Sequence, residues 1–309
     1  MYKTFAIDEF ALGARHEIRD VRYSLEGDII YASSQEGLLM YEASTGKFIR
    51  KDNRLYGIKS FCLTFDGMNL LLRRGQTIKV CDAMTTEIIN SLELPHQTQA
   101  QFLSLQEYLL GFSKYGAMQI WNLNSGDLVG ENECHSASIS CCDVAPTLDR
   151  VISCDIRGET ILTNLDKKKV VRRIFTDTVL CCKFSPDGRF FAIGDSKGGL
   201  SLWDGYSGEL LWGTQAHTDA ITGCAFLLRD NRLVLTGSAD GTLKAWAVDT
   251  KQEVGFMNFE EEIRGIASSS RDSQITVALA HRIAVINAEC SKENHQPNFV
   301  IGEGQCILL

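Results

Sequence analysis

The sequence predicts an all-β fold: a seven-bladed β-propeller of four-stranded antiparallel blades, closed into a ring by an N-terminal strand that completes the last blade. Three observations predict it. A marker, an apolar or aromatic residue ending a short β-run just before a turn, recurs at Tyr41, Cys81, Trp121, Thr163, Trp203, Trp246 and Ile286. Its intervals are 40, 40, 42, 40, 43 and 40 residues, a period that with several short strands per unit belongs to propellers rather than to helical solenoids. Turn chemistry repeats in phase with the marker, and seven small sheets use a chain of 309 residues as one domain.

The units follow in order: residues 17–55, 56–94, 95–134, 135–175, 176–215, 216–259 and 260–290, the last completed by residues 4–10. Residues 291–309 form a C-terminal tail. The fifth and sixth units show the pattern best, with short β-runs at 179–184, 190–194, 200–203 and 209–212. Between the first two runs stands Ser185-Pro186-Asp187-Gly188, and Asp-Gly supplies the positive φ of a tight hairpin. Glu26-Gly27 and Asp66-Gly67 hold the same place in the first two units. Five residues after the marker come Gly46, Gly126 and Gly208, turning the chain into the outer strand. The seventh unit supplies three strands before its pattern fades. The run at 4–10 is therefore expected to close the ring, with residues 298–301 as the competing candidate, since an open sheet end is a template for unwanted pairing.

Hydrophobic residues make up 44% of the chain, with only 4 prolines, so a substantial core is affordable in length and composition. No uncharged apolar stretch reaches the roughly 18 residues of a membrane span, and the first residues lack a secretory signal. An intracellular location, cytoplasmic or nuclear, is the expectation. The 11 cysteines lie mostly inside strand-like runs, in no disulfide spacing, and are expected to be reduced. A net charge of −8 disfavours direct nucleic-acid binding. The one basic knot, Lys167, Lys168, Lys169, Arg172 and Arg173, falls at the hairpin of the last two strands of the fourth unit and reads as a solvated turn.

The residues at this point resemble the WD40-repeat propellers over about residues 17–290. In the sixth unit Ala216-His217 stands where that family has Gly-His, followed by Thr236-Gly-Ser-Ala-Asp240-Gly and Trp246-Ala247 in place of Trp-Asp. The resemblance implies a buried structural hydrogen-bond tetrad of His217, Thr236, Asp240 and Trp246. Trp203-Asp204 is the intact Trp-Asp pair, Trp121-Asn122 a near match, and the fourth unit has Thr163-Asn164 where the aromatic should be. Family likeness also implies that partners bind on the face formed by the loops leading into the innermost strands. Aligning the units on strand starts Ile18, Ile58, Ala100, Ile139, Val179, Ile221 and Ile263 gives a candidate partner-binding rim. It comprises Glu17, Gln99, Ser138, Thr178 and Glu262 with the flanking acids Asp219 and Glu261. These acids face no lysine of the ring and are expected to attract a basic segment of a partner through charge-assisted hydrogen bonds.

Chemistry at single residues finds little support. His135 and His217 fall at structural positions of their repeats, His96 lies in the matching connection, and no nucleophile elbow, phosphate-cradling loop or metalloprotease motif occurs. Catalytic residues and cofactors are therefore expected to be none. The pairs Cys141-Cys142 and Cys181-Cys182 cannot each clasp one ion, because neighbours on a strand point to opposite faces. Buried inert thiols are expected, and no metal. The last four residues, Cys306-Ile307-Leu308-Leu309, have the form of a prenylation signal, though Lys292 is the single cation after residue 290 and no polybasic second signal accompanies it. The sequence thus points to a non-catalytic scaffold, a monomeric propeller within a hetero-complex that holds other proteins or peptides at its top face and rim. The alternative is a peripheral membrane adaptor lipidated at Cys306.

Overall fold

A computed structural model of the chain describes residues 17–64, 66–93, 98–105, 107–113, 115–227, 232–269, 274–280 and 282–287, with residues 98–105 and 287 described by their backbone. Among the described residues it holds 27 strands and no helix. The first sheet is β1 (Ile18–Tyr23), β2 (Ile29–Ser34), β3 (Leu38–Glu42) and β4 (Phe48–Asp52). The second is β5 (Ser60–Leu63), β6 (Asn69–Arg74), β7 (Thr77–Asp82) and β8 (Ile88–Glu93). The third is β9 (Thr98–Leu105), β10 (Tyr108–Ser113), β11 (Ala117–Asn122) and β12 (Leu128–Glu133), and the fourth β13 (Ile139–Val144), β14 (Arg150–Asp155), β15 (Glu159–Asn164) and β16 (Lys169–Phe175). Then come β17 (Val179–Phe184), β18 (Phe190–Asp195), β19 (Gly199–Asp204) and β20 (Leu210–Gln215), and β21 (Ile221–Phe226), β22 (Leu233–Ser238), β23 (Thr242–Ala247) and β24 (Gln252–Asn258). The seventh sheet is β25 (Ile263–Ser268), β26 (Gln274–Leu279) and β27 (Ile283–Asn287).

Each sheet is an antiparallel meander in sequence order. The first strand of every sheet touches the first strand of the next, and β25 returns to β1, so seven blades stand radially around a central channel. The ring is closed at its inner edge, where the Ile18 amide donates to the Ala280 carbonyl at 3.2 Å. All seven sequence markers lie in third strands. Residues 4–10, expected to add a fourth strand to the seventh sheet, and the tail carrying 298–301 and Cys306 lie outside the described residues. Two strand starts differ from expectation: β5 begins at Ser60 rather than Ile58, and β9 at Thr98 rather than Ala100. In the first, fourth, fifth, sixth and seventh blades a β-bulge follows the first residue of the inner strand. Blade two lacks this bulge, and Gly57 at φ 68° instead turns the chain in.

The core is not one mass but seven, each wedged between two neighbouring blades. The cluster of Ile152, Leu162, Val179, Phe184 and Phe191 joins blades four and five, and that of Ile18, Ile30, Ala278 and Ile283 joins seven to one. Middle strands are buried along their whole length, as in β2, β14, β22 and β26, because both faces of a blade pack on neighbours. Period-two alternation therefore survives mainly in the inner strands, such as β13.

The turn five residues past the marker is left-handed in six blades. Glycine takes it at 46, 126 and 208, but Thr86 (φ 56°), Lys168 (φ 48°) and Lys251 (φ 61°) take it in the others. A β-branched residue there is strained. Thr86 is held by a buried hydrogen bond from its hydroxyl to Asp52 Oδ2 at 2.7 Å.

Candidate functional site

Blade six carries a continuous polar chain inside the protein. Trp246 Nε1 donates to Thr236 Oγ1 at 3.0 Å, and Thr236 Oγ1 lies 2.7 Å from His217 Nε2. Nδ1 faces the acceptor-only carboxylate of Asp240 and so carries the proton, which leaves Nε2 to accept from the Thr236 hydroxyl. Nδ1 then donates to Thr242 Oγ1 at 2.8 Å and faces Asp240 Oδ2 at 3.2 Å. Asp240 also accepts from the Thr218 amide (3.0 Å), the Thr242 amide (2.9 Å) and the Thr242 hydroxyl (2.6 Å). The loop into β21 is thereby bound to the turn between β22 and β23, at the top of the ring. Burial holds the His217 imidazole below its usual range. Asp240 is held down to about 2: burial opposes this, but the hydrogen bonds from Thr242 and Thr218 outweigh it. Thr242, which joins the four residues named from the sequence, was not foreseen, although a hydroxyl two residues past the Asp is its only sequence signal.

Blade four builds a lesser version. His135 Nε2 lies 2.8 Å from Ser153 Oγ, while Nδ1 stands 3.5 Å from Asp155 Oδ2 and 3.6 Å from Glu159 Oε2. His135 Nδ1 and Asp155 Oδ2 have no hydrogen-bond partner, and burial holds this imidazole too below its usual value. Thr163 replaces the indole. Between blades three and four, where that indole is missing, lies a groove of ≈ 870 Å³ lined by Met118, Ile120, Val129, Leu148, Thr163 and Leu165.

The rim residues are not one uniform acidic ring. Glu17 is engaged by the Arg264 guanidinium and by Gln35 Nε2 at 2.7 Å, and these contacts, the Arg264 hydrogen bond foremost, hold its carboxyl below the usual range. Glu261 pairs with Arg282 at 3.0 Å. The expectation concerned lysine alone, and the cations that two of these acids meet are arginines, Arg264 and Arg282. Arg264 sits two residues past Glu262, one step down the inner strand, where an alignment limited to the residue before the strand does not look. Thr178 Oγ1 donates to the Ile156 carbonyl at 3.3 Å, and Asp219 Oδ1 accepts from the Ala220 amide at 2.7 Å. Asp219 and Glu262 remain exposed and Ser138 half-buried; the side chain of Gln99, like His96, lies outside the described residues.

Below the rim the channel widens into a cavity of ≈ 420 Å³. Five cations line it, Arg19, Arg22, Lys59, Lys183 and Arg264, against the two carboxylates Asp20 and Asp143. Asp143 bridges blades, taking Lys183 Nζ and the Phe184 amide, each at 2.7 Å, and Asp20 pairs with Arg22 at 3.1 Å. The cavity wall is also rich in sulfur, with Cys62, Cys141, Cys142, Cys181, Cys182 and Cys224. The members of each adjacent cysteine pair pack toward different blade interfaces, Cys141 and Cys182 between blades four and five, Cys142 between three and four, and Cys181 between five and six. Sequence reasoning did not see that thiols of different strands and blades meet: Cys141, Cys154 and Cys182 bring their sulfurs within 4.8 Å of one another. The basic knot lies at the β15–β16 turn and along β16, with Arg173 paired to Glu159 and donating to the Cys134 carbonyl at 3.2 Å. No described helix is long and apolar enough to cross a membrane.

Comparison with known proteins agrees with this architecture. The family model described as WD domain, G-beta repeat matches residues 169–204 and 208–247. WD repeat-containing protein 36 of Homo sapiens is 30% identical over 149 residues, 47% of this chain and 16% of that protein. The U3 small nucleolar RNA-associated protein 21 homolog of Schizosaccharomyces pombe is 33% identical over 150 residues, 47% of this chain and 16% of its own length. Actin-interacting protein 1 of Drosophila melanogaster is 28% identical over 190 residues, 57% of this chain and 30% of that one. The alignments thus span under a third of each of these relatives. Seven radial sheets, the matched repeats and these relatives together support a WD40-repeat β-propeller family for the chain, with no individual member singled out.

Proposed function

We propose that the chain is a non-catalytic interaction scaffold, a subunit of a multiprotein complex that grips partners through the top face and rim of its ring. The carrying observation is where its polar side chains are spent. Both repeat histidines are buried and committed to structure, while the exposed Asp219 and Glu262 are left at the rim. A stiff ring offers such loops to a partner with little ordering cost. Two relatives bear names of association, one with U3 small nucleolar RNA and one with actin; those partners belong to those proteins, and only the mode, a propeller surface that holds another macromolecule, is extended here.

The partner segment we favour is basic, docking on the sector of blades six and seven where Asp219 and Glu262 stand. Glu17, satisfied by Arg264 and Gln35, contributes less. Binding of Lys- and Arg-rich peptides measured by fluorescence polarisation tests this. Glu262→Ala combined with Asp219→Ala is expected to weaken binding and raise no salt sensitivity, with Glu17→Ala close to the parent. Unchanged affinity in the double variant removes the basic-segment reading. Affinity purification that recovers the chain alone from its own cells removes the complex subunit.

A further inference from the structure

We propose that Cys141, Cys154 and Cys182 form a three-sulfur site for a soft, thiophilic d10 metal ion, copper(I) by preference, between blades four and five. The three sulfurs already lie within 4.8 Å of one another. Cys141 and Cys154 are opposite partners in the β13–β14 register, and Cys182 comes from the inner strand of the next blade. A trigonal ion with sulfur at about 2.3 Å needs sulfur separations of about 4.0 Å, so small χ1 adjustments of sub-ångström reach close the triangle.

The surroundings suit a soft ion. Ala145, Ile152, Leu162, Val179 and Phe191 pack around the thiols, an apolar shell that disfavours hard, strongly hydrated cations. Cys154 is fully buried, whereas Cys141 and Cys182 also line the channel cavity, which gives an ion a way in. No fourth His, Cys, Asp or Glu among the described residues completes the cluster. An ion content with three sulfurs therefore fits better than zinc(II), which needs a fourth position supplied by water. Burial pushes the thiols of Cys141 and Cys182 well up. Each sulfur–metal bond formed releases that thiol's proton to solvent, so affinity falls as pH falls.

The neighbouring interface is an internal control. Between blades five and six Cys181 and Cys224 hold the places of Cys141 and Cys182, but the place of Cys154 is Gly194. A Cβ built on Gly194 falls 2.7 Å from Cys181 Sγ and 2.6 Å from Ile221 Cγ2. That interface has room for two sulfurs, not three.

The test loads the full-length reduced chain anaerobically with copper(I) and, in a parallel arm, with zinc(II), then competes with a chromophoric chelator. One copper(I) per chain held with three sulfur neighbours by X-ray absorption is expected. Cys154→Ala is expected to weaken retention by at least about tenfold, the least that even supporting residues of metal sites are worth, and Cys181→Ala and Cys224→Ala to leave it unchanged. The same pattern with zinc(II) alone keeps the site and reassigns its ion. Parent protein that yields both ions as readily as Cys154→Ala, or loss in Cys181→Ala as large as in Cys154→Ala, overturns the proposal. Should Cys154→Ala not fold, alkylation of the parent decides. The ion must slow modification of Cys141, Cys154 and Cys182 relative to Cys62, and equal rates with and without it overturn the proposal.

Discussion

Thr236→Val isolates the polar chain of blade six with almost no change of shape. Two buried groups lose their partner, Trp246 Nε1–H at 3.0 Å and His217 Nε2 at 2.7 Å. Leaving a buried polar group unsatisfied costs about 1–3 kcal/mol each, and the added methyl returns about 0.8 kcal/mol. A net loss of about 1–5 kcal/mol follows. Ser153→Ala in blade four is the comparison: only His135 Nε2 loses a partner there, because Thr163 offers no indole, and the loss is about 1–3 kcal/mol. Urea unfolding followed by tryptophan fluorescence reads both, as a shift of midpoint at constant slope. Hydrogen exchange at the Thr218 amide, bound to Asp240 Oδ2, reads whether the loop loosens locally. A Thr236→Val change under about 0.5 kcal/mol, the range of an ordinary surface substitution, would refute the reasoning, as would a loss no larger than that of Ser153→Ala.

Other outcomes follow from the same structure. Arg150 is buried and clamps blade four to blade five, its Nη1 donating to the carbonyls of Gly188 (3.1 Å) and Gly205 (2.5 Å) and its guanidinium 3.8 Å from the Tyr206 ring centroid; Arg150→Ala is expected to lower stability by about 3–5 kcal/mol in the same urea assay. Burial holds His135 and His217 below the ordinary 6.5, so the unfolded chain binds their protons first. Stability measured against pH is therefore full above 6.5 and declines below it, and substituting both histidines by glutamine flattens that region. Asp240, held at about 2 against an ordinary 3.8, contributes stability above 3.8 that is lost as pH falls through about 2, a step absent from Asp240→Asn. Lys168→Gly relieves a left-handed residue at φ 48° and is expected to raise the thermal midpoint, by a net gain of about 0.5–1 kcal/mol.

The periodic part of the fold was legible because it is local. Tyr41, Trp121, Trp203 and Trp246 each stand one residue before the end of a third strand, and Asp187-Gly188 makes the turn its chemistry demands, with Gly188 at φ 68°. What joins one blade to the next was not legible. Arg150 meets Gly188 and Gly205, 38 and 55 positions on, and Cys141 meets Cys182 through a facing that depends on a bulge one residue into the inner strand. That bulge resets which side of the strand each cysteine shows, and no turn residue announces it. Arg264 escaped for a related reason: its guanidinium reaches back to Glu17 across the ring closure, 247 positions away in the chain.

That closure has a kinetic consequence. Thr276 and Tyr23 share a hydrogen bond across 253 positions, while most other blade contacts join segments one repeat apart. During synthesis the first sheet must wait, its flank bare, until the last one leaves the ribosome, since loop closure of that span is the slowest encounter available. A circularly permuted chain opened between blades three and four would shift this seam to a new place, and the bare flank of the nascent chain with it.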